Sequence, residues 1–214
     1  MATPTPGALA ALALLRDPSQ FKWYAIVFLL IVIYVYAVEI EKKNWAGVAA
    51  GVAFWGMDIF NEIWNSLVFH FTGYSAVWVE VGPTAYQIFI GLNIETTFMF
   101  AIMGIVATKL IPKDKDAKIF GKLPNRITLA VMMSIFCVIV EIILHSAGVL
   151  VWDYPFWNLQ APYLIFLVGY LPFWVVAFKI YDAHDLKTRV KGVLAILVVD
   201  GACIVVFLWI LNWI

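Results

Sequence analysis

Residues 45–71 read WAGVAAGVAFWGMDIFNEIWNSLVFHF, an apolar run long enough to cross a bilayer, and they decide the fold. About 20 apolar residues span a hydrocarbon core roughly 30 Å thick. The run nevertheless carries Asp58, Asn61, Glu62 and Asn65, spaced so that they share one face of a helix. An ionisable group at the bilayer centre costs at least ~2.5–3.5 kcal/mol on insertion scales. The polar face is therefore predicted to line the interior of a bundle.

The rest of the chain is equally apolar. Of its 214 residues, 64% are hydrophobic and 13% are charged, a composition that excludes an ordinary soluble domain. The apolar runs are continuous rather than alternating, and lipid favours helices for such spans. We therefore predict an all-α fold, a polytopic membrane helix bundle with six transmembrane helices in one domain, 22–214. The six predicted spans are 22–40, 45–71, 84–110, 126–149, 158–180 and 190–213.

The first 21 residues are predicted to form a separate N-terminal segment, 1–21. Within it, GALAALALL (7–15) is too short to span a bilayer and lacks the basic residues that precede the core of a signal peptide. A short interfacial helix is expected there.

Lys and Arg are unevenly distributed along the chain. The links 39–44, 111–125 and 179–191 carry nearly all of them, whereas the links 72–83 and 150–157 carry none. The positive-inside rule predicts that the basic links are cytoplasmic and that both termini lie on the opposite side. The formal net charge is zero, and no nucleic-acid partner is expected.

Ionisable residues recur in other predicted spans. Glu95 follows Gln87 and Gly91 at helical spacing, Glu141 and His145 form an i, i+4 pair, and Asp200 lies alone in an apolar run. Their predicted depths are compatible with one polar cavity between the second, third and fourth spans. The candidate catalytic residues are Asp58, Glu62, Glu95, Glu141, His145 and Asp200. The candidate substrate-binding residues are Trp55, Asn61, Trp64, Asn65 and Asn93. Cys137 and Cys203 are interpreted as small apolar residues.

Proton-driven chemistry on a hydrophobic substrate is the favoured interpretation. A carboxylic acid kept neutral by burial is a well-aimed proton donor, and a second carboxylate takes a proton back. Carboxylates and aromatic rings stabilise a carbocation between these steps. We therefore expect isomerisation or cyclisation of an isoprenoid or sterol-like molecule from the bilayer, with no cofactor. Glu62 is the expected donor, with Asp58 and Glu95 tuning it or accepting the returning proton.

Two short motifs carry a resemblance to a known family. FWGMDIFNEIWNSL (54–67) followed by GLNIETTFMFAIMG (91–104) resembles the emopamil-binding-protein type of sterol isomerase, of the EXPERA superfamily. Members of that family carry His-x-x-x-Glu on one helix and a second Glu in METIT-like sequence on the next. The resemblance implies catalytic roles for Glu62 and Glu95, and it places Asp58 where the family has histidine. FLVGYLPFWVVAFKIYDA (166–183) resembles the family's last helix, after which this chain adds a further span.

A second resemblance is to the integral-membrane meroterpenoid cyclases. These seven-span proteins pair a Glu in an Asn/Trp-rich context with an Asp on the last helix. Glu62 in NEIWN and Asp200 match that pair. Both resemblances imply related chemistry, and both single out Glu62.

A membrane metalloenzyme is the first alternative. Carboxylates with a histidine suit iron or manganese in helix bundles, and copper is a further candidate for oxidising a lipid or hydrocarbon. The expected ligands of this transition metal are Asp58, Glu62, Glu95, Glu141 and His145.

A protein without catalytic activity is the second alternative. Intramembrane carboxylates also mark proton relays, which would make the chain a proton-coupled transporter or a subunit of a larger membrane complex. The expected partners are lipids and a hydrophobic small molecule, and the sequence leaves the oligomeric state open.

Overall fold

The computed structural model describes residues 2–119 and 121–214, and helices dominate it. The helices are α1 (Pro6–Leu14), α2 (Tyr24–Glu41), α3 (Trp45–Thr72), α4 (Ile94–Thr108), α5 (Asn125–Ser146), α6 (Pro162–Tyr181) and α7 (Leu186–Ile210). Two of them contain π-helical stretches, Ile165–Tyr170 in α6 and Ile204–Ile210 in α7. Helix α1 lies where the short N-terminal helix was predicted.

Within residues 2–119 and 121–214, six short strands, which the sequence did not predict, form three antiparallel pairs. They are β1 (Val79–Glu80) with β6 (Leu150–Val151), β2 (Gln87–Phe89) with β3 (Leu92–Asn93), and β4 (Lys118–Ile119) with β5 (Leu123–Pro124). Each pair lies outside the long helices.

Four helices in the described part of the chain are long and apolar enough to cross a membrane: α2, α5, α6 and α7. Their outward faces are apolar and exposed, as at Ile31, Ile143 and Val198. Such a surface suits lipid as its surroundings. Helix α3 is longer, at 28 residues, but carries the polar stripe, and α4 has 15 residues.

Helix α3 occupies the centre of the bundle and packs against α2, α4, α6 and α7. The Asn44 side chain caps its start by accepting from the Gly47 amide at 3.1 Å, and Gly73 ends it in the left-handed conformation. Phe54 on α3 packs against Trp174 on α6, with ring centroids 4.1 Å apart. Gly104 lets α4 approach α3, a use of small residues that is common where membrane helices pack.

The predicted third span, 84–110, is wrong in its first ten residues. Residues 84–93 form no helix and contain the β2–β3 hairpin. Helix α4 begins only at Ile94, where Asn93 caps it by accepting from the Thr96 amide at 2.8 Å. The buried Gln87 amide donates to the carbonyl of Phe89 at 2.8 Å and holds the β2–β3 turn. This segment is apolar because it is buried within the protein. Hydropathy does not distinguish such burial from contact with lipid, and it therefore predicted a membrane helix here.

One end of the bundle is covered by a cap, which consists of α1 and the links 73–93 and 147–161. Asp153 Oδ2 accepts from the hydroxyls of Thr5 at 2.6 Å and Ser75 at 2.7 Å, and so ties the three segments together. The C-terminal Ile214 packs into the same end. Both chain ends therefore lie with the two links that carry no Lys or Arg.

The opposite end holds the basic links and their ion pairs. Lys109 pairs with Glu39, and Arg126 makes two bonds of 2.8 Å to the carboxylate of Asp182. This separation of charge agrees with the predicted grouping of the links.

Candidate functional site

The polar stripe of α3 faces the bundle interior, as predicted. Asp58 is 4% exposed and Glu62 is 3% exposed. The indole nitrogen of Trp78 donates to Glu62 Oε1 at 2.7 Å, and the amide of Asn65 lies 3.5 Å from Glu62 Oε2. Asp58 Oδ2 is buried without a hydrogen-bond partner among the described residues.

Asn65 is a structural residue in this fold. Its Oδ1 accepts from the amides of Val77 at 2.7 Å and Trp78 at 3.2 Å, and its Nδ2 donates to the Trp78 carbonyl at 2.8 Å. These bonds hold the cap link against α3. They position Trp78 over Glu62, and they leave Asn65 outside the cavity lining.

The acidic side chains surround a cavity of about 110 Å³ between α3, α4, α5, α6 and the cap. Four carboxyl groups line it: Asp58, Glu62, Glu80 and Glu141. The ion pairs in the described part of the chain are Glu39 with Lys109, Asp182 with Arg126, and Asp185 with His184. None of these pairs neutralises a cavity carboxyl. Because a buried unpaired carboxylate costs several kcal/mol, we expect these groups to be protonated, bound to a cation or hydrogen-bonded to neutral donors.

Glu80 was not predicted as a site residue. It follows Val79 in β1, and its Oε1 accepts from the Thr96 hydroxyl at 3.0 Å, whereas Oε2 is buried without a partner among the described residues. Burial, followed by repulsion from nearby Glu62, raises the pKa of Glu80 to about 8. A lone acid in the apolar link WVEVG (78–82) was the signal available in the sequence.

Aromatic side chains form the walls of the cavity. Trp152, just behind the lining, donates to Glu141 Oε1 at 3.0 Å, much as Trp78 donates to Glu62. Trp157 stacks on Trp78 with ring centroids 5.4 Å apart, and Tyr170 of the α6 π-helical stretch also lines the cavity. Two indoles thus orient two of the four carboxyl groups.

The cavity opens sideways between α4 and α5. The exposed lining residues are Met99 at 43% on α4, and Phe136 at 56% and Leu144 at 37% on α5. Deeper in this gap, the sulfur of Cys137 lies 3.8 Å from that of Met103. The opening is therefore apolar and faces the side of the bundle rather than either end.

Glu95 and His145 do not line the cavity. Glu95 lies in the first turn of α4 and accepts from Thr84 Oγ1 and the Ala85 amide, each at 2.7 Å, and from the Tyr24 hydroxyl at 2.5 Å. Because α4 begins at Ile94 and not at residue 84, Glu95 lies at the end of the helix next to the cap. Its hydrogen bonds there hold the cap in place.

His145 stacks on Trp152, with ring centroids 4.1 Å apart, and its Nδ1 lies 3.0 Å from the carbonyl oxygen of Leu150. It therefore supports Trp152, the residue that donates to Glu141.

Asp200 is buried on α7, and both of its carboxyl oxygens are unpartnered among the described residues. It lies beside Gly56 of α3, outside the cavity lining.

Among the candidate substrate-binding residues, Asn61 lines the cavity. Trp55 donates to Thr97 Oγ1 at 3.2 Å, Trp64 packs on Trp78 with ring centroids 5.9 Å apart, and Asn93 caps α4.

Comparison with protein families matches residues 5–209 to a family described as an uncharacterized membrane protein family. The chain belongs to this family. An uncharacterized protein of Archaeoglobus fulgidus is 57% identical over 211 residues, which are 99% of this chain and 100% of that protein. A second uncharacterized protein of that organism is 45% identical over 53 residues, 25% of this chain and 95% of that protein. No solved structure matches the chain.

Membership of this family, together with the four apolar helices, supports the prediction of an integral membrane protein. The comparison does not show the resemblances to sterol isomerases or meroterpenoid cyclases. Across residues 2–119 and 121–214, no three His, Cys, Asp or Glu side chains are grouped as a metal site would require. Glu95 and His145, two of the five residues in the metal interpretation, bond elsewhere.

Proposed function

We propose that this protein is a membrane enzyme that isomerises or cyclises a hydrophobic isoprenoid or sterol-like molecule by proton transfer. The observation that carries the proposal is the set of four buried carboxyl groups around one cavity with an apolar side opening. Neutral acids donate protons effectively in such surroundings. The resemblance of the α3 motif to sterol isomerases and to the cyclases singles out Glu62, which lines this cavity, and it points to the same class of chemistry.

Glu62 is the proton donor in this proposal. Its Oε1 is held by the Trp78 indole, so the acidic proton belongs on Oε2. The O–H bond of Glu62 breaks as a C–H bond forms on an alkene carbon of the substrate, which leaves a carbocation on the neighbouring carbon. Facing aromatic walls and carboxylates stabilise that cation.

Asp58, one turn before Glu62 on α3 and in the lining of the same cavity, accepts the returning proton. Loss of a proton from the carbon next to the cation forms the shifted double bond. If a second alkene of the substrate attacks the cation first, a ring forms before the proton is lost. In both cases one proton enters and one leaves, so no cofactor is required.

The same proposal includes six membrane crossings. Helix α3 is the second, and α4 completes the third together with the non-helical residues 84–93. Fifteen helical residues rise roughly 22 Å, less than a hydrocarbon core. Non-helical backbone is tolerated at membrane depth where protein buries it. The basic links would face the cytoplasm, and the cap and both termini the opposite side.

Deuterium exchange tests the function. Purified protein in lipid nanodiscs is incubated in deuterated water with a panel of polyisoprenoids and sterols, and the lipids are analysed by mass spectrometry. Alkene protonation and deprotonation would place deuterium on carbon in at least one lipid class. If no panel member gains carbon-bound deuterium above the protein-free level, the proposal fails for these substrates.

A further inference from the structure

The cavity and its opening differ in chemistry, and this difference constrains the ligand. The interior holds polar groups, whereas the gap between α4 and α5 is lined by Met99, Met103, Phe136, Val140 and Leu144. A molecule that fills both must have a small polar end and an apolar body.

The size of the cavity places only one end of such a molecule inside. One water needs at least about 10–15 Å³ on this measure, so 110 Å³ holds at most about seven to eleven water-sized groups. A long isoprenoid or sterol-like body exceeds that space. Its remainder must lie in the gap, against the exposed side chains of Met99, Phe136 and Leu144.

The unpartnered polar atoms define the chemistry of the inserted end. Asp58 Oδ2 and Glu80 Oε2 are buried acceptors without donors among the described residues, and the buried Trp157 Nε1 lies near Glu141 but makes no hydrogen bond of ordinary geometry. All three residues line the cavity. A hydroxyl group both donates and accepts, so it can serve both kinds of atom. A phosphate or carboxylate would instead face four acidic side chains.

We infer that the ligand is a neutral lipid alcohol that enters sideways between α4 and α5 with its hydroxyl end first, and that the hydroxyl binds between the carboxyl groups of Asp58 and Glu80. This inference rests on the proposed function, because it takes the cavity to be a substrate site. It adds the polar group of the substrate and its route.

The head group is tested by direct binding to protein in nanodiscs, without turnover. The probes are geranylgeraniol, its methyl ether and geranylgeranoic acid, which share one tail. The alcohol should bind about tenfold more tightly than the ether, because the ether cannot donate, and the acid should bind more weakly still. Equal binding of the alcohol and the ether would overturn the assignment of the hydroxyl.

The route is tested by narrowing the opening. Met99→Trp on α4 and Leu144→Trp on α5 should each slow association of geranylgeraniol about tenfold. The matched control is Met132→Trp, because Met132 is 53% exposed on α5 and lies outside the cavity lining. Circular dichroism identifies variants that fold, and either rim position is sufficient. Unchanged association in the folded rim variants would refute the lateral route.

The two proposals fail differently. Selective binding of the alcohol without deuterium exchange would leave this site in place and remove the proton chemistry. Deuterium exchange into lipids without selective binding of the alcohol would support the proton chemistry and refute the assignment of the hydroxyl.

Discussion

The indole nitrogen of Trp78 donates to Glu62 Oε1 at 2.7 Å, so a residue of the cap orients the acid at the centre of the bundle. The bond joins a short link to the longest helix of the described chain. It depends on Asn65, which anchors the link one turn further along α3.

Replacing Trp78 tests this relationship. Trp78→Phe keeps a ring beside Trp157 but removes the donor to Glu62. We expect a loss of about 1–3 kcal/mol in the free energy of unfolding, since a buried acceptor loses its partner. Unfolding in mixed micelles titrated with sodium dodecyl sulfate measures the change. Trp64→Phe is the matched control, because Trp64 is 38% exposed, and it should alter stability by less than half as much. Similar losses in both variants would argue against the bond.

The Asn65 anchor predicts a contrast between two asparagines of the same helix. Asn65→Ala removes three bonds to the backbone of the link and leaves buried amides unsatisfied, so we expect a loss of at least about 2–3 kcal/mol. Asn61→Ala, at the cavity wall, should cost less than about 1 kcal/mol. The same unfolding titration compares them, and equal costs would show that the link does not depend on Asn65.

Gly104 predicts a second stability contrast. A Cβ at Gly104 would lie 2.7 Å from Phe54 Cβ and 2.9 Å from Gly51 Cα, whereas a Cβ at Gly201 meets nothing within 4 Å. Gly104→Ala should therefore destabilise the protein by about 1–3 kcal/mol through overpacking. Gly201→Ala should be neutral or slightly stabilising. Comparable unfolding midpoints for the two variants would contradict the close packing of α3 and α4.

The buried Glu80 predicts a dependence of stability on pH. Its pKa is raised from 4.5 to about 8, so the folded protein keeps the proton after the unfolded chain has released it. Stability contributed by protonated Glu80 is complete below pH 4.5, falls as the pH rises, and is lost above about pH 8. The slope in that window is about 1.4 kcal/mol for each pH unit.

Glu80→Gln should flatten the fall in unfolding free energy between pH 5 and pH 8. Glu41→Gln, the same change at an exposed acid of α2, should leave the profile of the wild type unaltered. If the Glu80→Gln profile is as steep as that of the wild type, Glu80 is not held neutral by burial.

Sequence periodicity predicted α3 and its acidic face because the spacing of Asp58 and Glu62 follows directly from helix geometry. Glu141 was likewise recognisable from its place in an apolar span. Glu95 was misplaced because the apolar residues before it are buried within the protein and are not exposed to lipid. Hydropathy does not distinguish these two surroundings.

Trp78 and Glu80 illustrate what periodicity could not provide. Both lie in a link without helical pattern, and they reach the cavity only because Asn65 binds the link 12–13 residues beyond itself. His145 was expected to line the cavity with Glu141. Instead, its ring stacks on Trp152, which the turn after α5 places between His145 and Glu141.

The central claim is that Glu62 transfers a proton to a lipid, and carbon-bound deuterium in the product measures this most directly. Nanodisc-embedded wild type, Glu62→Gln and Glu41→Gln proteins are incubated with the responsive lipid in deuterated water. We predict that Glu62→Gln lowers the exchange rate by at least about a hundredfold, within the range of general acid catalysis. Glu41→Gln should match the wild type. Exchange at the wild-type rate in folded Glu62→Gln protein would contradict the account.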